Sequence, residues 1–547
     1  MSGKVAAAGD GTPREQPGRR EADLRVIRGQ VERRVAEEAG GQGPGDGGGG
    51  ADNDFVRQCL DASDLGDGTL FAHLFRGRFV FNHTSGTWLA WGGHSWRRDI
   101  QSRSLWACED VALLYVEERA RVEAELAGVP RDDQTTFKAL ERRCKFVSGR
   151  INHMRSVPGR RRCLEMAATC ERPLSVEEPQ IDARPELLAV ANGVVDLTTG
   201  VLRPGRPEDW LLRSSPVPFD PDADLEPWVT FLWEVYEDQE KIDYIQRLVG
   251  MSLFGDSREH VLPVFWGKGR NGKDTLFDML QYVLGDLAGA IQPEMLMDQG
   301  RNTRSPSGPS PEIMALKGIR MAVGSETEKG SAFALGKVKW LTGGGRLVGR
   351  GLQDKHMTTF DPSHTLFVLT NHKPRAGDDY ALWKRLVLIG HPFSFVDSPR
   401  APDEKQKDGQ LKERLKDSAP GILRWMVEGA LRYLDMGLRP PPCVLAETED
   451  YRRDEDVLSQ FLEARCWVSR ELEAQFPGLE PDTLVEVETR AMRTPFKELY
   501  EAFEEWWQEF RGGKVPTQKS LGLMLKAKFP NEKAGGMFYF GVGVRSG

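Results

Sequence analysis

Between Val261 and Leu276 an apolar run, Val-Leu-Pro-Val-Phe-Trp, reaches the turn Gly267-Lys-Gly269-Arg270-Asn271-Gly272, followed by Lys273, Asp274 and Thr275. Leu276, Phe277, Met279 and Leu280 then recur at helical spacing. Strand, loop and helix in that order are the setting a phosphate-binding loop requires. Glycines let backbone N–H groups converge on a polyphosphate, and a helix N-terminus adds a favourable dipole. Lys273 would reach the β- and γ-phosphates. The spacing Gly267-x4-Gly272-Lys273 fits the P-loop pattern, but Asp274 stands where that pattern has Ser or Thr. A glycine turn between two core elements is the alternative reading.

Three more apolar runs follow. Ile319 to Val323 leads to Ser325-Glu326-Thr-Glu328, His364 to Leu369 leads to Thr370-Asn371, and Leu386 to Ile389 follows Lys384-Arg385. Helical patterns lie between them, which is the signature of a parallel α/β core over about 258–395. Ligands of such sheets lie beyond the carboxyl ends of the strands, so Lys273, Glu326 and Asn371 are expected to converge at one edge. Residues 300–311 read as a polar insertion rich in Pro and Ser. The stretch Lys337 to Phe360 reads as a β-hairpin with Lys355 and His356 near its turn.

The chain has 547 residues, 39% of them hydrophobic, and a net charge of −8. That length implies two to four domains. The charge excludes a polycation, so any nucleic-acid site must be a local concentration of Lys and Arg. Seven cysteines without a C-x2-C pair argue against a zinc ribbon or disulfide scaffold and fit a reducing cytosol. No run reaches membrane-spanning length, and no signal-peptide core opens the chain.

Residues 1–53 are Gly-rich and expected to be disordered, with one short amphipathic pattern at Leu24, Ile27, Val31 and Val35. The composition changes at Asp54, and the aromatic-rich stretch from Phe71 to Trp96 reads as a small β-meander, whose tryptophans are core residues or base-stacking platforms. Helical patterns follow at 105–126 and 135–170. The cluster Arg160-Arg-Arg162 is a solvated face or a phosphate contact. Leu187 to Leu202 reads as a hairpin turning at Asn192-Gly193, and Trp228 to Phe254 as one helix. After 395 the chain reads as helical. Residues 455–547 show helices and then two final strands at about 537–544, suggesting a winged-helix module or a packing domain.

As a set, these pieces resemble the superfamily 3 helicase module of phage and plasmid primase-helicases, related to the poxvirus primase-helicase. The matching pieces are Asn192-Gly193-Val-Val-Asp-Leu-Thr-Thr-Gly, Gly267 to Lys273, Ser325-Glu326-Thr-Glu328, Lys339-Trp-Leu-Thr-Gly-Gly344, Thr370-Asn371-His-Lys-Pro374, Lys384-Arg385-Leu and Gly421-Ile-Leu-Arg-Trp. The resemblance implies an α/β fold: an AAA+-like P-loop NTPase core with an N-terminal α+β helicase-associated domain and a C-terminal winged-helix-like domain. The expected division is a tail at 1–53, the helicase-associated domain at 54–215, and a linker and helical collar at 216–257. The core follows at 258–395, a helical extension at 396–454 and the terminal domain at 455–547.

The resemblance also implies an ATP-dependent DNA helicase forming a homo-hexameric ring on single-stranded or forked DNA, with ATP and Mg2+ as cofactors. The alternatives are a nucleotide-dependent, origin-binding initiator and an RNA-directed ATPase. Within the implied site, Gly267, Gly269, Arg270, Asn271, Gly272, Lys273, Asp274 and Thr275 bind nucleotide. Glu326 polarises the attacking water, Asn371 orients it, and Arg385 reaches nucleotide held by a neighbouring subunit. Asp274, Thr275 and Glu326 serve Mg2+, while Lys339, Arg346, Arg350, Lys355 and His356 contact DNA in the channel. The first fifty-odd residues are too few for a primase domain, so a separate primase or polymerase is the expected partner, in the cytoplasm of a bacterial host.

Overall fold

The protein, seen here as a computed structural model, is described over residues 51–299, 310–325, 330–352, 357–377, 379–476, 478–513 and 515–545. The amphipathic pattern at Leu24 to Val35 therefore lies outside the described residues. Among the described residues no helix is long and apolar enough to cross a membrane.

The first unit packs helices Asn53–Asp61, Ser63–Leu74, Arg103–Ala127, Gln134–Met154 and Val157–Ala167 around Leu60, Phe71, Phe75, Tyr115, Val147 and Met154. The pattern at 135–170 is thus two helices rather than one. Ser156 caps the second by accepting from Gly159 N at 3.1 Å, with Pro158 in its first turn. An antiparallel meander, Phe79–Asn82, Thr87–Trp91 and Trp96–Arg98, lies beside them. Trp96 is a core residue: it is buried, stacks on Trp210 and donates from Nε1 to Pro207 O at 2.8 Å.

The segment 187–203 forms three antiparallel strands, Leu187–Val190, Gly193–Asp196 and Val201–Arg203. Its first turn is Ala191-Asn192, because Val190 pairs directly with Gly193. The Asn192 side chain explains the shift. Its amide donates to Phe219 O and accepts from Phe219 N, both at 2.9 Å, and so pins the following linker. The helix expected over 228–254 is broken into α1 (Glu226–Tyr236) and α2 (Gln239–Met251). Glu237 takes a left-handed φ of 48°, and Asp238 caps α2 by accepting from Lys241 N.

The central sheet has strands β1 (Leu262–Trp266), β2 (Ala288–Ile291), β3 (Met321–Ser325), β4 (Thr365–Thr370) and β5 (Leu386–Gly390), in the order β5-β1-β4-β3-β2. Every neighbouring pair is parallel. Side chains alternate between two cores, as strand geometry requires. Phe265, Phe367 and Ile389 face one, with Phe277 of α3 (Lys273–Leu284); Val264, Val368 and Leu388 face the other. Burial on both faces is why these strands read as continuous apolar runs. The stretch 337–360 is not one hairpin. It begins as helix α4 (Leu335–Thr342), and only Leu347–Gly349 and Thr358–Phe360 pair as strands.

Beyond the sheet lie α5 (Tyr380–Trp383), α6 (Ala419–Met436) and α7 (Pro442–Glu455). Helix α7 closes the edge of β5. Thr448 Oγ1 accepts from Leu388 N at 3.0 Å, and Glu447 Oε2 accepts from Gly390 N at 2.8 Å. Such side-chain partners remove an open template for strand addition. The last unit has its own core, including Phe461, Leu499, Phe503 and Leu521. Its two final strands are not a hairpin. Met537–Phe540 pairs with Arg493–Pro495 and Asn531–Lys533, while Val542–Val544 crosses to Cys466–Ser469. Gly541 makes that switch at φ 81°, where an added Cβ would lie 2.5 Å from Leu472 Cδ1.

Candidate functional site

β1 delivers the chain to the glycine turn at the carboxyl edge of the sheet. A Cβ on Gly267 would lie 2.2 Å from Asn271 Nδ2 and 2.9 Å from His391 O, so glycine is required there. Arg270 and Gly272 both adopt left-handed φ, 64° and 84°, and reverse the chain into α3. Gly269 has open space above its Cα. Arg270 O is anchored by Phe395 N at 2.7 Å. Across Gly272, Val235 Cγ2 of α1 would be 2.8 Å from an added Cβ, so the turn is clamped against α1.

Lys273 opens α3 and is only 3% exposed. Its Nζ donates to Asn371 Oδ1 at 2.6 Å and lies 3.9 Å from Asp274 Oδ2. Asn371 follows β4 immediately, and β4 is registered on β1 through Thr370 and Trp266. Asn271 is 2% exposed, with Oδ1 accepting from Lys273 N at 3.3 Å. Its Nδ2 is buried and unpartnered among the described residues. A buried donor without an acceptor is uncommon in folded proteins. Together with Lys273, the free N–H groups of α3 and the open space over Gly269, it makes a cradle fitted to an anion. Asp274 is well exposed (69%) at the mouth, and Thr275 is half-buried behind it. A carboxylate and a hydroxyl on adjacent residues are the hard oxygen donors that Mg2+ takes.

The structure adds residues that sequence reasoning missed. His391 follows β5, is fully buried, and its Nε2 lies 2.9 Å from the hydroxyl of Tyr236 at the end of α1. Its backbone N donates to Trp266 O at 2.8 Å, so it forms the floor of the turn. The available signal was its position two residues beyond the fourth apolar run.

The remaining expected residues are dispersed. Ser325 ends β3 in register with Leu369; Glu326 lies outside the described residues, as do Lys355 and His356. Arg385 precedes β5, whose Leu386 is registered with Leu262, so it sits at the opposite edge of the sheet from Lys273. Its Nη1 donates to Ala381 O at 2.8 Å, and its Nε is buried and unpartnered among the described residues. Lys339, on α4, pairs with Asp379 at 2.8 Å and holds that carboxyl below its usual range. Arg346 is exposed, 3.4 Å from Asp361, and Arg350 donates from its backbone to Ser310 Oγ. Arg160 is tied to Glu109 at 2.7 Å. A group of Asp64, Asp67 and His153 already holds a cation, Arg150, bonded to both carboxylates.

Residues 68–237 match the family described as "D5 N terminal like". A protein named "Putative helicase" in Acanthamoeba polyphaga mimivirus is 28% identical over 365 residues, covering 64% of this chain and 36% of that protein. The family model covers less than half of the chain, and the match makes the chain similar to D5-type primase-helicases. A "Putative primase" of African swine fever virus (strain Badajoz 1971 Vero-adapted) is 25% identical over 371 residues, 64% of this chain and 36% of that protein. The chain thus spans little more than a third of these curated relatives. Among solved structures, the apo NrS-1 C-terminal region matches at 14% identity and a TM-score of 0.40, over 69% of this chain and 86% of that one.

Proposed function

We propose that this chain is the motor of a viral- or plasmid-type replication system: an ATP-dependent DNA helicase of superfamily 3 that assembles into a ring, usually a hexamer, around single-stranded or forked DNA. The observation that carries the reading is the Lys273–Asn371 contact at the carboxyl edge of an all-parallel sheet ordered β5-β1-β4-β3-β2. It brings a loop cation and a strand-end amide together, as an AAA+-like P-loop core needs for a γ-phosphate. In this reading Gly267 to Thr275 cradle ATP, Glu326 polarises the attacking water, Asn371 orients it, and Arg385 serves the nucleotide of the adjacent subunit. Asp274, Thr275 and Glu326 would hold Mg2+, which neutralises phosphate charge when bound. Lys339, Arg346, Arg350, Lys355 and His356 would face the DNA. A primase or polymerase is the proposed replication partner.

A second reading, an origin-binding initiator, draws on the last unit. Strand Arg493–Pro495, helices Phe496–Phe510 and Gln518–Lys528, and strands Asn531–Lys533 and Met537–Phe540 follow winged-helix order. The second helix carries Lys519 and Lys526 with no acidic residue, and Leu523 points outward at 62% exposure. An RNA-directed ATPase is the third reading. Strand displacement on forked DNA with ATP and Mg2+ tests the first. Sequence-specific DNA binding by the chain without unwinding would select the second, and stimulation of ATP hydrolysis by RNA but not DNA the third.

A further inference from the structure

Among the described residues, two surfaces are unpartnered and complementary. The first is the outer face of α1. Val229 and Trp233 are exposed there, Trp233 at 48%, and Glu226 and Glu234 flank them. The opposite face of this helix, through Phe231 and Val235, is the one clamped against Gly272, so the exposed stripe lies one helix diameter, roughly 10 Å, from the glycine turn.

The second is a cleft of about 520 Å³ at the opposite edge of the sheet. Val261 and Leu386, which bracket the amino ends of β1 and β5, line its floor with Trp383 and Val444. Lys384, Arg439 and Arg452 stand on its rim. The rim also holds two acids, Glu259 and Glu449, but Glu259 accepts from the Tyr433 hydroxyl at 3.1 Å and Glu449 lies 3.7 Å from Arg452. Tyr244 of α2 lines the cleft, and its hydroxyl is buried with no partner among the described residues. An orphaned phenol is a vacant hydrogen-bond position.

The register of the parallel strands keeps these surfaces at opposite ends of one chain. We propose that the cleft receives Trp233 of a second copy, joining subunits head to tail so that Arg385 of one approaches the phosphate loop of the next. The indole buries its apolar body on the cleft floor and donates its N–H to Tyr244. Glu226 and Glu234 meet the Lys384 and Arg452 rim. An aromatic anchor in an apolar pocket with complementary charge around it is the usual anatomy of an interface hot spot. A heterologous contact of this kind closes into a ring or continues as a filament. The inference rests on the reading of this chain as an assembling ATPase, because only then does Arg385 need a neighbour.

The test uses full-length protein in which the partly exposed Cys443, beside the cleft, is replaced by Ser. Val229→Cys, one turn from the retained Trp233, and Leu445→Cys variants are prepared separately, each at an exposed position. Under mild oxidation the mixture forms disulfide-linked dimers, and neither variant alone does. In sedimentation, Trp233→Ala raises the assembly dissociation constant about tenfold or more, and Trp233→Phe, lacking the N–H, falls between it and the parent. Nucleotide binding by the subunit, read with a fluorescent ATP analogue, stays unchanged. Assembly without cross-linking in the mixture overturns the proposal, as does cross-linking by a single variant. A chain that stays monomeric with ATP analogue, Mg2+ and single-stranded DNA also overturns it. Failure of the parent to bind the analogue counts against the ATPase reading instead, and leaves the cross-linking result to stand or fall alone.

Discussion

The hydroxyl of Tyr236 and Nε2 of His391 lie 2.9 Å apart, buried beneath the glycine turn, and join α1 to the end of β5. Burial, and then the charge of Lys273, push the His391 imidazole down to about 3. Burial alone pushes His364, at the start of β4, down to about 4.

Both imidazoles are therefore neutral in the folded chain at pH values where the unfolded chain, titrating near 6.5, is protonated. Between about pH 6.5 and 4 the unfolded state binds more protons, so stability falls as pH falls, by up to about 1.4 kcal/mol per pH unit for each histidine. Thermal unfolding from pH 7 to pH 5 should show a decline that is shallower in His391→Gln. Parallel curves for the variant and the parent would show that His391 is not one of the groups involved.

Lys273 is the loop cation, and its only hydrogen-bond acceptor among the described residues is Asn371. Lys273→Ala leaves that exposed amide to solvent, so the far-ultraviolet circular dichroism should be unchanged. ATP hydrolysis should fall about a hundredfold or more, because a preorganised donor to transferring charge is lost. Hydrolysis at the parental rate would remove the nucleotide site.

Much of this arrangement was legible because strand and helix differ in period. The run at 261–266 and its glycine turn are where the spacing put them, and so are the runs that became β3, β4 and β5. β2 was not legible: Ala288-Gly-Ala-Ile291 is short and weakly apolar, as an edge strand tolerates. α4 was misread because Lys337-Val-Lys-Trp340 alternates like a strand, although the segment packs Val338 and Leu341 on one face. At the site, the pairing of residues 273 and 371 could be reasoned from strand ends. The His391–Tyr236 floor could not, because the contact joins elements 155 residues apart through a buried polar pair that leaves no periodic trace.

Arg385 cannot serve the loop of its own chain, since β5 places it at the opposite sheet edge. Arg385→Ala should spare nucleotide binding and lower hydrolysis by about 10³-fold or more, the range for arginines that act in trans. Mixed with Lys273→Ala, it should regain activity, because a hybrid interface pairs an intact loop with an intact arginine. No recovery in verified mixed assemblies would exclude a trans role.

Among the described residues Arg346 is held only by an exposed contact to Asp361 at 3.4 Å, which is worth little in water and leaves it available to a phosphate. Arg346→Ala combined with Lys355→Ala and His356→Ala should lose unwinding and DNA-stimulated hydrolysis but keep basal hydrolysis. Its DNA affinity should also fall less steeply with salt, the slope shrinking by about one unit for each phosphate contact removed. An unchanged slope would place the DNA elsewhere.

Asp274 carries the least usual chemistry of the site. It puts a carboxylate 3.9 Å from the Lys273 ammonium, at the mouth of a cradle fitted to a polyanion. Alone, that charge would repel phosphate; on the proposed reading, with a divalent cation between them, it would become a ligand, directly or through water, and Thr275 or Ser325 would supply the hydroxyl. Magnesium is commonly held by one or two carboxylates plus waters and phosphates, so a single loop carboxylate is sufficient. The competing role, capping α3, finds no support in the geometry, because Gly272 holds the cap position and Asp274 lies inside the first turn. A first-turn carboxylate does favour the helix dipole, by about 0.3–1 kcal/mol, and that contribution does not depend on magnesium. The two roles therefore separate in binding measured by titration calorimetry with and without Mg2+. Asp274→Asn should weaken binding of Mg·ATP more than that of metal-free ATP, and Asp274→Ser should flatten the dependence of affinity on Mg2+ concentration. If the natural, Asn and Ser chains depend on Mg2+ alike while their thermal stabilities differ, Asp274 belongs to the helix and not to the metal.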